Sequence, residues 1–148
     1  MPDIEFFDAH VALGPRKVVF PGQDWVPADL CPRLAECGIT AALVHHTAAV
    51  EDNPVTGNDL LTEALRDPAL HGLRELHPAW AVLPFSTREQ GSPDDLRRRL
   101  KANGVKAALL YPAAQGFSAA PWCAGALYDL LEAMRLPTFV RANPPDFT

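Results

Sequence analysis

The residues with the most chemistry to offer stand where apolar runs give way to polar ones. Ile4-Glu5-Phe6-Phe7 leads into Asp8-Ala9-His10, and the segment turns at Gly14-Pro15. Thr40-Ala41-Ala42-Leu43-Val44 leads into His45-His46. Val105 to Leu110 leads into Tyr111 and then Gln115, and Thr138-Phe139-Val140 leads into Arg141. An imidazole beside a carboxylate can move protons. An arginine can hold a carboxylate through two parallel hydrogen bonds. Asp8, His10, His45 and Arg141 are therefore the candidate catalytic residues. Each has a plainer alternative. His10 could satisfy loop hydrogen bonds, and Arg141 could pair with Asp8 or Glu51. Adjacent strand residues point to opposite faces, so at most one of His45 and His46 faces a site.

Elements must bring these residues together. Strand one is expected over Ile4–Asp8, strand two over Thr40–Val44 and strand three over Ala79–Pro84. Strands four and five are expected over Val105–Leu110 and Thr138–Val140. Four helical patterns lie between them. Pro27 suits a first helical residue, with Leu30, Leu34 and Cys37 at helical spacing and Gly38 as the stop. Leu60, Leu61, Ala64 and Leu65 make the second helix, capped by Asn53 or Thr56. A connector with Leu70, Leu73 and Leu76 follows. Ser92-Pro93-Asp94-Asp95 is a strong start signal for the third helix, which ends at Asn103-Gly104. The fourth starts near Pro121 and buries Leu127, Leu130, Leu131 and Met134. Strands alternating with helices predict parallel βα repeats, five strands and about four helices, over 1–148 as a single domain. A complete eight-stranded barrel needs about 250 residues, so the choice is an open sheet or the first five strands of a barrel. In such folds function sits at the carboxyl ends of strands, where the polar residues above fall.

Composition narrows the function classes. With 48% hydrophobic and 21% charged residues, the chain of 148 reads as globular. A net charge of -5 argues against nucleic acid, because phosphate binding needs basic stripes. The short cluster Arg97-Arg98-Arg99-Lys101 reads as a solvated helix face. No apolar run reaches membrane-spanning length, and Met1-Pro2-Asp3, with an acid and no basic flank, is not expected to open a secretory signal. Three cysteines without metal spacing suit buried thiols in a reducing cytoplasm. Arg88 and Glu89 read as exposed, His71 and His77 as structural, and Trp80 and Phe139 as core. Glycine-rich nucleotide loops and a Gly-x-Ser-x-Gly elbow are missing from the sequence.

Phe7-Asp8-Ala9-His10-Val11-Ala12-Leu13-Gly14 resembles the opening Asp-x-His-x-His motif of the amidohydrolase superfamily. The likeness continues through Gly38–Val44, Asp52–Asn58, Gly104–Pro112, Gly116-Phe117-Ser118 and Leu136–Val140. It covers the N-terminal part of that family's barrel. It implies a βα barrel in which a divalent metal, zinc or manganese, activates water to attack a C–N or C–O bond. It implies His10 as a metal ligand. Ala12 stands at the second histidine position and Arg141 follows the fifth strand, where the family often has a histidine. A methyl cannot ligate, and a fixed cation repels a metal. The expectation is therefore a hydrolase acting on a small-molecule substrate through a degenerate metal site. The alternatives are a decarboxylase of the same superfamily and a non-catalytic binding or assembly domain. Five strands of a would-be barrel leave two apolar edges open, which predicts self-association, or else a chain that is a piece of something longer.

Overall fold

The computed structural model describes residues 4–18, 21–22, 26–68 and 75–141. The expected contributions of Leu70, His71 and Leu73 lie outside the described residues. In chain order the elements are β1 (Phe6–Leu13), α1 (Pro27–Glu36), β2 (Ile39–His46), α2 (Ala48–Glu51) and α3 (Pro54–Ala64). There follow β3 (Glu75–Ala81), a 3₁₀ turn (Phe85–Thr87), α4 (Pro93–Ala102), β4 (Ala107–Leu110), α5 (Pro112–Gln115), α6 (Pro121–Ala133) and β5 (Thr138–Val140).

The five strands form one sheet in the order β1-β2-β3-β4-β5, and every neighbouring pair is parallel. Sequential parallel order requires each crossover to return beside the strand just left. The four longer helices all contribute to one apolar layer. Leu30 and Leu34 of α1, Leu61 of α3, Leu96 and Leu100 of α4, and Leu127 of α6 meet Val11, Val44, Trp80 and Leu110 of the strands. Helices on one face and strands in sequence order make the arrangement of the first part of a βα barrel, not a doubly wound sheet.

The other face carries smaller residues. Leu43, Ala79, Ala81, Ala107 and Leu109 form a second buried cluster with Tyr111 and Ala49. Trp80 at 1% exposure points to the helices, while its neighbours Ala79 and Ala81 point the other way. This is the period-two alternation of a strand with both faces buried. The sheet is curled toward the alanine face. A flat sheet would hold β1 and β4 about 14 Å apart, yet His10 on β1 touches Tyr111 at the end of β4.

Local chemistry explains the helix starts. The side chain of Ser92 accepts the Asp95 N–H at 3.2 Å, and the Asp95 carboxylate accepts the Ser92 N–H at 3.1 Å. This capping box satisfies two groups the first turn leaves open. Of the two cap candidates for α3, Asn53 does the work, accepting the Thr56 N–H at 3.0 Å.

Several expectations need correction. β1 runs to Leu13 rather than ending at Asp8, because Val11, Ala12 and Leu13 continue to pair with β2. β2 likewise includes both histidines. β3 begins at Glu75, so His77 lies inside it, in register with Leu43, rather than before it. Phe139 is 44% exposed, because β5 is an edge strand with no described neighbour beyond it. Of the three cysteines only Cys31 is buried, and Cys37 is an exposed helix end. Arg88 and Glu89 are exposed as expected.

Candidate active site

The curl gathers the strand ends around a cavity of about 370 Å³. Asp8, His10 and Ala12 reach it from β1, His45 from β2, Tyr111 from the end of β4 and Arg141 from the end of β5. All four candidate catalytic residues therefore line one pocket.

His10 is placed by an irregularity. The β1–β2 register shifts between Asp8 and Val11, a bulge of the kind that re-aims a side chain. The Asp8 carboxylate accepts the His10 backbone N–H at 3.0 Å, which fixes that local turn. The His10 ring then lies with its Nε2 at 3.0 Å from the Tyr111 hydroxyl. Tyr111 is 3% exposed. Burial pushes its phenol up to about 12, against a smaller opposing pull from Arg141. Its hydroxyl therefore keeps its proton at neutral pH and serves as a hydrogen-bond partner, not an anion.

His45 lies beneath His10, with ring centroids 4.4 Å apart. It is 4% exposed, and its Nδ1 is buried without a hydrogen-bond partner. Burial is the main force lowering its pKa to about 4, and the charges of His10, Arg16 and His46 add to it. A hydrogen bond with the Val11 backbone pulls the other way without winning. The charged form of His45 is thus disfavoured, and its ring is neutral at pH 7.

His46 resolves the choice left open by the doublet. Its Nδ1 accepts the Ala48 N–H at 3.1 Å, at the start of α2, and Gly14 packs against its ring. Gly14 has φ +90, and a Cβ there would fall on the His46 ring. Burial lowers the His46 pKa as well. Two further bonds tie the β1 loop to β2. Thr47 N–H donates to the Leu13 carbonyl and Thr47 Oγ1 to the Pro15 carbonyl, both at 2.7 Å.

Two buried amides support the same end of the sheet without entering the pocket lining. Asn58 Nδ2 donates to the Ala81 carbonyl at 2.8 Å, and Ala81 N–H donates to Asn58 Oδ1 at 3.0 Å. Gln90 Nε2 donates to the same carbonyl, and Gln90 Oε1 accepts the Leu83 N–H. Sequence reasoning missed both. The available signal was Asn58 on the same helix face as Leu61 and Leu65. Gln115, named as a candidate, donates to the Ala49 carbonyl at 2.9 Å and ties α5 to α2.

The donors present do not fit the metal centre that the family resemblance implies. His10 gives its Nε2 to Tyr111, Ala12 offers a methyl, and Arg141 brings fixed positive charge. Among the described residues no group of three or more His, Cys, Asp or Glu is arranged to hold a metal ion.

No described helix is long and apolar enough to cross a membrane. No family model and no curated protein matches the chain. A solved structure does: dihydrodipicolinate synthase from Agrobacterium tumefaciens, with 18% identity and a TM-score of 0.44. The match covers 96% of this chain and 46% of that one, so the chain spans about half the length of that protein. A likeness of that size carries no argument about chemistry. What the chain's own strand order and packing establish is a parallel βα sheet in the order of the first part of a barrel, curled so that the strand ends share a pocket.

Proposed function

We propose that this protein is a small-molecule hydrolase that binds a carboxylate-bearing substrate in the concave pocket and directs water at a C–N or C–O bond. The observation that carries this reading is the meeting of His10, His45 and Tyr111 beside Arg141 in one cavity. Arg141 pairs with the substrate carboxylate. His10, open to the pocket and steadied by Tyr111, takes a proton from the attacking water. It returns that proton to the departing nitrogen or oxygen. His45 stays neutral and walls the site. The amidohydrolase resemblance supports the reaction class. The mismatch at Ala12 and Arg141 favours doing it with the chain's own groups.

Decarboxylation is the second reading, since Arg141 would bind a carboxylic acid substrate equally well. The same anchor would hold the carboxylate, and His10 would protonate the carbon that carbon dioxide leaves. A third reading, an assembly domain, draws on the open edges. Phe6 and Phe7 on β1 are 55% and 54% exposed, and Phe139 and Val140 on β5 are 44% and 41% exposed. We infer that a second copy of the chain covers them.

Panels of carboxylate-bearing amides, esters and lactones, and of β-keto and aromatic acids, test the first two readings by product release. In the active panel His10→Ala should lower kcat by about a hundredfold or more. Arg141→Gln should act mainly on KM. Turnover unchanged in His10→Ala would refute the acid–base role. A metal bound one per chain and lost in His10→Ala would refute the metal-independent reading.

A further inference from the structure

The concave pocket is lined by arginines that are not all paired with carboxylates. Arg16, Arg33 and Arg141 line it against Asp8 and Glu51. Arg33 is paired with Glu36 at 3.1 Å. The two acids are engaged by backbone: Asp8 accepts the His10 N–H at 3.0 Å and Glu51 the Lys17 N–H at 2.8 Å. Lys17 itself pairs with Asp52 at 3.7 Å. Among the described residues, no carboxylate forms an ion pair with Arg16 or Arg141. These two cations come from opposite edges of the sheet, Arg16 from the loop after β1 and Arg141 from the end of β5. Only the curl of the sheet brings them to one cavity.

Arg16 also lines a second cavity, of about 530 Å³, with Lys17, Val18 and Ala114. The two cavities share Arg16, Val50 and Glu51. Arg16 therefore stands at a junction, with the His10–Tyr111 contact on one side and open space on the other. Two guanidinium groups without ion-pair partners on one cavity offer a ligand two oxyanion positions.

We propose that the pocket takes a doubly anionic small molecule, with one carboxylate on Arg141 beside His10 and a second anionic group, carboxylate or phosphate, on Arg16. This rests on reading Arg141 as a carboxylate anchor, and it adds Arg16 as the residue that selects for the second charge. The guanidinium fork suits either oxyanion. The second cavity leaves room for the second group and what it carries.

Calorimetric titration at low ionic strength tests this with malonate, succinate, glutarate, adipate, 2-phosphoglycolate and the monomethyl esters of the dicarboxylates. At least one dianion should bind about tenfold tighter than its matched monoanion. Arg16→Gln should erase that difference and leave the monoanion unchanged, whereas Arg141→Gln should weaken both. A preference for 2-phosphoglycolate assigns the Arg16 position to phosphate, and a preference for a dicarboxylate assigns it to carboxylate. Both arginines are exposed, so neither substitution empties the core, and circular dichroism checks that both variants fold. If monoanions bind through Arg141 but no dianion gains, or if Arg16→Gln keeps the gain, the second subsite is wrong while the anchor stands. If no carboxylate binds, the anchor and the subsite fall together.

Discussion

His45 should make the stability of this protein depend on pH in a defined direction and window. Its ring is held at about 4 in the folded state against 6.5 for an unperturbed histidine, chiefly by burial. Between those values the unfolded chain binds a proton that the folded chain refuses. By linkage, stability is then fully present above about pH 6.5 and falls as the pH drops toward 4. A displacement of that size corresponds to about 3 kcal/mol. His46, also lowered by burial, adds to the loss in the same direction. Urea unfolding at pH 7.0, 6.0, 5.0 and 4.5 measures it as a falling midpoint at constant slope. His45→Gln isolates the contribution, because an amide of similar size keeps a polar side chain at the position yet does not titrate. The variant should lose most of the pH dependence over this window. A variant whose midpoint falls as steeply as the parent's would show that His45 is not the buried neutral ring described above.

Asn58→Ala orphans the buried Ala81 N–H and leaves a small void, so unfolding free energy should drop by about 2–4 kcal/mol in urea titrations; a loss under 0.5 would contradict the bidentate bond. Gly14→Ala adds a methyl at φ +90 against the His46 ring. It should cost about 1–3 kcal/mol in the same assay, and an unchanged midpoint would mean that the β1 loop does not pack there. For the open edges, light scattering coupled to size exclusion should show a mass above the 16.1 kDa of one chain. Phe6→Glu/Phe139→Glu should return the protein to a monomer, and a parent that is monomeric at high concentration would refute the pairing.

The sequence was most readable where the cause of structure is local. Ser92-Pro93-Asp94-Asp95 carries its own cap, and α4 starts at Pro93 as those residues dictate. Strand ends were less readable, because pairing sets them. Val11 and Leu13 alternate with His10 and Ala12 in a period-two pattern, but only their β2 partners make that stretch a strand. The four candidate residues do share a pocket, since strand polarity alone sends them to one end. Their mutual geometry was not readable. His10 and Tyr111 are 101 positions apart in the chain, and only the curl of the sheet joins them. Arg16 stands in a loop whose only local mark is its neighbour Lys17, and nothing nearby announces that it borders two cavities. Asn58 and Gln90 are amides whose shared partner, Ala81, lies on another element.

The proposed chemistry depends on strand tips meeting in one carboxylate-binding cavity. The most direct measurement is a carbon–proton spectrum of the imidazole rings during titration with succinate. The His10 and His45 resonances should move together while His77, near the start of β3, stays still, and Arg141→Gln should push the movement to higher succinate. Succinate that binds while shifting His77, or leaves both His10 and His45 unmoved, would contradict the claim.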